Sequence, residues 1–122
     1  MAGKVYFIGA GPGDPELLTI RAKNIIERAD VIIYADSLIN SDVCSSTREG
    51  TEIYPSVSLS LEKITSIILD AVKQGKVVAR LQSGDPSIYG AVHEQMAVLD
   101  EKGIEYEIIP GVSSLFAAVA AL

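Results

Sequence analysis

Runs rich in β-branched residues alternate with helix-patterned stretches along this whole chain, and that alternation limits its fold more than any other feature. Strands joined through helices pair in parallel with right-handed crossovers. The expected fold is therefore α/β, an open, mostly parallel sheet flanked by helices. Predicted strands cover residues 4–10, 31–35, 52–54, 76–81 and 105–109. Asp14 is a candidate N-cap with Pro15 at the first helical position, and Leu18, Ala22, Ile25, Ile26 and Ala29 then recur as one helical stripe. Ser60 caps a second predicted helix, in which Leu61, Ile64, Ile67, Ile68, Ala71 and Val72 share a face before Gly75 stops it. A third passes through Val92, Met96 and Leu99 to Gly103. Residues 40–50 are polar without a clear period and read as a loop with room for a helical turn.

With 122 residues, 48% of them hydrophobic, the chain can build one core without metal or disulfide support. Its single cysteine, Cys44, excludes an internal disulfide and a multi-cysteine metal site. No apolar run reaches the roughly 20 residues that a membrane helix needs. The opening Met-Ala-Gly-Lys runs straight into a strand and does not read as a signal peptide, so the expected compartment is the cytoplasm, with no membrane partner. A net charge of −6 and the lack of a basic stripe disfavour nucleic acid. Residues 115–122 are apolar on every face with no stop signal, and a helix of that kind expects cover on all sides. The expectation is a single domain over 1–122, cut from a longer chain whose missing part covers this helix.

The tripeptide Gly-Asp-Pro occurs twice, at Gly13-Asp14-Pro15 and at Gly84-Asp85-Pro86, each time after a predicted strand. Ser113-Ser114, behind Pro110-Gly111, makes a third strand-to-helix junction. In open α/β sheets ligands bind where strands hand over to helices, so these junctions can converge on one small-molecule crevice. Gly9-Ala10-Gly11-Pro12-Gly13-Asp14 is a poor dinucleotide fingerprint. Asp14 replaces its third glycine and would repel a pyrophosphate, while Pro12 and Pro15 remove N–H donors. His93 has no second histidine at metal spacing, and no metal site is expected. There is no Gly-x-Ser-x-Gly elbow and no nucleophile–base pair, which argues against triad hydrolysis. What remains suits a reaction whose reagent arrives activated, with the protein holding two partners in line.

Taken in order, four segments make the chain similar to the tetrapyrrole (corrin/porphyrin) methyltransferases over its full length. They are Tyr6-Phe7-Ile8-Gly9-Ala10-Gly11-Pro12-Gly13-Asp14-Pro15, Ala29-Asp30-Val31-Ile32-Ile33-Tyr34-Ala35-Asp36-Ser37-Leu38, the second Gly-Asp-Pro loop, and Pro110-Gly111-Val112-Ser113-Ser114. The resemblance implies S-adenosyl-L-methionine as methyl donor and a cyclic tetrapyrrole as acceptor, bound in a trough between two α/β domains of a homodimeric enzyme. Tyr34-Ala35-Asp36-Ser37-Leu38 and Tyr89-Gly90-Ala91 look most like the branch that methylates a precorrin or cobalt-precorrin at C11 in cobalamin biosynthesis. Other precorrin methylases, uroporphyrinogen III methyltransferases and, more distantly, diphthine synthase are the alternatives.

By the same resemblance, Pro12, Ser83, Gly84, Asp85, Ile88, Ser113 and Ser114 line the cofactor site, and Gly11, Gly13 and Asp14 face the tetrapyrrole. Relatives acting on uroporphyrinogen carry an aspartate directly after the tyrosine of the second strand. Here Ala35 intervenes, and Asp36 is the candidate catalytic, proton-handling residue. Arg21, Lys23 and Arg48 are candidate donors to the acceptor's peripheral carboxylates. On its own the fragment is expected to transfer little methyl and to act at most as a binding or dimerising module.

Overall fold

Five apolar runs become the strands β1 (Lys4–Gly9), β2 (Val31–Tyr34), β3 (Glu52–Pro55), β4 (Val77–Gln82) and β5 (Tyr106–Ile109). They form one sheet in the order β3-β2-β4-β1-β5, with every neighbouring pair parallel. The structure is a computed structural model that describes residues 3–11, 14–34, 41–44, 47–56, 59–82, 93–112 and 119–120. A central parallel strand is covered on both faces and needs an unbroken apolar run. β1 is such a strand: Val5 and Phe7 enter one core layer, while Tyr6 and Ile8, with Ala10 just beyond, enter the other.

Crossover handedness distributes the helices. From β1 the chain steps outward through β2 to β3, then reverses, filling the gap with β4 and ending on the far side at β5. Right-handed crossovers in opposite directions lie on opposite faces. Accordingly α1 (Ile20–Arg28) packs Ala22, Ile25 and Ile26 on one face, joined by Val43 and Cys44 from the β2–β3 connection. The other face takes Ile64, Ile68, Ala71 and Val72 of α2 (Leu61–Lys73) with Met96 and Leu99 of α3 (His93–Glu101).

The first predicted helix is two pieces rather than one. The Asp14 carboxylate accepts from the Glu16 N–H at 2.9 Å and caps only a 3-10 turn, Pro15–Leu17. Leu18 and Thr19 are then extended, and the Thr19 hydroxyl accepts from the Ala22 N–H at 3.1 Å to start α1 afresh. Two good caps in succession beat one continuous stripe, because each satisfies N–H groups that a helix start leaves open. The carbonyl of Leu17 sits where Gly11 turns left-handed (φ +68°), so that a Cβ on Gly11 would lie 3.2 Å from it. Only glycine suits that turn. α2 begins as expected, with Ser60 accepting from the Lys63 N–H at 3.1 Å, and ends at Gly75 (φ +75°). Leu61, the first residue of its predicted stripe, is 39% exposed. Residues 41–44 supply the helical turn in the predicted loop. The predicted strand residue Ala35 and helix residue Val92 lie outside the described residues, as does most of 115–122.

The amino-terminal edge of the sheet is tied together by Asp30. Its carboxylate accepts from the Val77 N–H at 2.8 Å and pairs with Arg48, its N–H donates to the Val77 carbonyl, and its own carbonyl accepts from Glu52. On the outer strand, Glu107 receives Lys4 at 3.2 Å and also Arg21. The hydrogen bond from Lys4 holds the Glu107 carboxyl below its usual range and in return raises the Lys4 ammonium.

Two outcomes follow. Gly11→Ala forces a Cβ into left-handed backbone against the Leu17 carbonyl, and chemical denaturation should show a loss of about 1–2 kcal/mol. Glu107, with a lowered folded value, adds stability above the ordinary carboxyl value of 4.5 and loses it as pH falls through the folded value. Lys4, with a raised value, adds stability below 10.5 and loses it above its folded value. In Glu107→Gln the melting temperature should therefore fall at neutral pH, and the gap to the parent should close as the pH drops past 4.5.

Candidate functional site

All carboxyl ends of a parallel sheet lie on one edge, and here the three predicted junctions leave from three adjacent strands. Gly9 at the end of β1 pairs with Gln82 at the end of β4, and the pairing runs on with Ala10 N–H donating to the Gln82 carbonyl at 2.7 Å. On the other side of β1, Ile8 pairs with Ile109, the last residue of β5. β2 lies beyond β4, with Tyr34 opposite Leu81. Residues 10–15, 83–92 and 110–114 thus start side by side in the order β4, β1, β5. This is the crevice position of an open α/β sheet, where the strand order reverses.

Of the predicted site residues, Gly11 and Asp14 are described. Gly11 turns left-handed directly past the end of β1, a conformation that suits glycine. Asp14 is exposed, and its carboxylate is engaged as the cap of the 3-10 turn. Asp36, Pro12, Gly13, Ser83, Gly84, Asp85, Ile88, Ser113 and Ser114 lie outside the described residues. Each of the basic candidates has a carboxylate partner. Arg48 sits at the opposite, amino-terminal edge, held by Asp30 and by the Ala29 carbonyl at 3.4 Å. Arg21 is taken by Glu107, and Lys23 lies 3.8 Å from Glu27. These partners are one turn or many residues away in sequence, which the composition of the chain does not reveal.

Arg80 and Gln95 were missed as functional candidates. They are the buried polar side chains of the described core, 6% and 7% exposed. Arg80 Nε donates to Gln95 Oε1 at 3.3 Å, and its Nη1 donates to the carbonyls of Leu81 at 3.2 Å and Ile33 at 3.5 Å. Burial pushes the guanidinium down to about 10, which leaves it charged at neutral pH. The signal was an arginine inside the apolar run Val77-Val78-Ala79-Arg80-Leu81, in which Val78, Ala79 and Leu81 are core residues.

Among the described residues no group of His, Cys, Asp and Glu could hold a metal ion, and no helix is long and apolar enough to cross a membrane. His93 is exposed at the start of α3. Cys44 is a buried free thiol, and burial raises it. A groove of about 390 Å³ lies away from this edge, lined by Leu61, Thr65, Leu69 and Val98 on α2 and α3.

The family model of the Tetrapyrrole (Corrin/Porphyrin) Methylases matches residues 4–122. A cobalt-precorrin-4 C(11)-methyltransferase of Methanocaldococcus jannaschii is 57% identical over 119 residues, which cover 98% of this chain and 46% of the relative. The X-ray structure of a cobalt precorrin-4 methyltransferase superposes with a TM-score of 0.92 at 45% identity, covering 97% of this chain and 49% of that one. A uroporphyrin-III C-methyl transferase from Thermus thermophilus, complexed with S-adenyl homocysteine, gives a TM-score of 0.79 at 34% identity, covering 95% of this chain and 48% of that one. The chain spans about half the length of each. With its parallel sheet, its glycine corner above β1 and this match over nearly every residue, the chain belongs to the tetrapyrrole methylases.

Proposed function

We propose that this chain is the amino-terminal, S-adenosyl-L-methionine-binding half of an enzyme that methylates precorrin-4, or its cobalt form, at C11 in cobalamin biosynthesis. The observation that carries this reading is the adjacency of the carboxyl ends of β4, β1 and β5 in a chain 57% identical to a protein named for that reaction. The lower identity to the uroporphyrin-III enzyme makes that substrate the second choice.

The donor set fits the cofactor. Bound S-adenosyl-L-methionine supplies an electrophilic methyl group on a sulfonium. Asp85 offers a carboxylate to an ammonium or to ribose hydroxyls, and Ser83, Ser113 and Ser114 add hydroxyls along the same edge. Gly84 and the left-handed Gly11 let backbone come close, and Pro12 and Ile88 give apolar cover that keeps water from the reacting centre. Gly11, Gly13 and Asp14 face the acceptor, where backbone N–H groups meet peripheral carboxylates. The reduced tetrapyrrole is already nucleophilic at carbon, so the site has to align two partners more than to activate either. Asp36, two residues past the end of β2, is the group to hold or accept a proton. In this reading a carboxyl-terminal domain supplies the second wall, in a cytoplasmic homodimer that needs neither nucleic acid nor membrane.

Assay of the full-length protein against a panel of precorrin intermediates should give turnover with precorrin-4 or cobalt-precorrin-4; turnover of uroporphyrinogen III alone would overturn the assignment. In the same protein Asp85→Ala should weaken S-adenosylhomocysteine binding by about 1–3 kcal/mol in calorimetry. An unchanged dissociation constant would return Asp85 to helix capping. The 122-residue chain alone should bind S-adenosylhomocysteine more weakly than the full-length protein and transfer little methyl.

A further inference from the structure

We infer that Arg80 and Gln95 form a positioning clasp that sets where the segment 83–92 leaves β4 and enters α3, and thereby sets the affinity for the methyl donor. The inference rests on the cofactor reading above, since that segment carries Ser83, Gly84, Asp85 and Ile88. Arg80 lies in register with Phe7 of β1 and Ile33 of β2, near the carboxyl edge of the sheet and on the face that α3 covers. Gln95 is the third residue of α3. Their hydrogen bond therefore joins the two elements between which the second Gly-Asp-Pro is strung.

Packing alone does not account for the pair. Arg80 is charged and 6% exposed, and each acceptor described for it is neutral: an amide oxygen and two carbonyls. Burying a charge among neutral acceptors costs more desolvation than the contacts return, and an apolar side chain would fill the space more favourably. Direction is what the guanidinium adds. Its planar fork meets Gln95 on α3, the carbonyl of Ile33 on β2 and the carbonyl of Leu81 on β4, so three elements are fixed in distance and in angle. An apolar contact is non-directional and lets α3 slide along the sheet. A shift of that kind would move the whole connection between β4 and α3, and misplacement of about 1 Å is enough to disable an aligned site.

The test uses the full-length protein and reads S-adenosylhomocysteine affinity, KM for donor and acceptor, kcat and melting temperature. Gln95→Met keeps the length of the side chain, leaves Arg80 on its two carbonyls and removes the acceptor on α3. It should weaken S-adenosylhomocysteine binding and raise the donor KM about five- to tenfold, the scale of one lost hydrogen bond, with the acceptor KM within about twofold of the parent. Gln95→Glu restores an acceptor and should bring the donor KM back within about twofold. Should Gln95→Met fail to fold, Gln95→Asn, which draws the acceptor back by one methylene, is read in the same way. A folded variant that melts lower yet binds S-adenosylhomocysteine as the parent does would make the pair a packing feature and overturn the clasp. Parental protein that fails to bind S-adenosylhomocysteine would remove the cofactor reading and the clasp together, whereas equal binding by parent and Gln95→Met would remove the clasp alone.

Discussion

Hydrogen bonds flank β1 on both sides, residues 4–9 running beside 77–82 of β4 and residues 5–8 beside 106–109 of β5. A strand can be held so only if its side chains are apolar on both faces, and Val5, Phe7 and Ile8 are fully buried. With β1 fixed, right-handed crossovers leave one arrangement of helices: α1 on the face reached by the outward step, α2 and α3 on the face reached by the return. The corner at Gly11 then lies between the ends of β4 and β5, so the meeting of three loop origins at that place is a consequence of strand pairing rather than of any local motif.

The two edges of the sheet are built on opposite principles. At the amino-terminal edge Asp30 gathers backbone donors and Arg48 into a closed network and leaves little polar capacity to offer a ligand. At the carboxyl edge the described chain leaves β1 through the turn at Gly11 and enters helix starts capped by Asp14, Thr19 and Ser60. Among the described residues one charged side chain, Arg80, lies in the core beneath that edge, and its described acceptors come from β2, β4 and α3 at once.

The strands were legible because β-branched runs bounded by glycine have few other uses, and Ser60 and Gly75 marked α2 at both ends. The break between Leu17 and Ile20 was not, since Leu18 continues the apolar period and only the competing hydroxyl of Thr19 interrupts it. Strand order was not legible at all: nothing local tells β4 to insert between β1 and β2. The partners of Arg48 and Arg21 were hidden in the same way, because Asp30 and Glu107 reach them only through the folded sheet. Glycine and aspartate at the corners could be read from sequence because their chemistry is local, whereas Arg80 reads as one more strand residue until its partner on α3 is known.

Under the proposed reaction, the chemistry asks little of acids and bases and much of alignment. Transfer from a sulfonium to an already nucleophilic carbon requires both partners to be held in line with water kept out, and an error of position cannot be repaired by a better proton donor. A fold meets that demand by making its loop origins rigid. Backbone pairing fixes the origins on β1, β4 and β5, but α3 is attached to the sheet mainly through Met96 and Leu99, and apolar contacts resist separation better than sliding. Hydrogen bonds supply the missing resistance because they depend on angle as well as distance. An arginine inside an apolar strand is costly to stability, and its position three residues before Ser83 is where that cost gives the greatest control over the loop that follows.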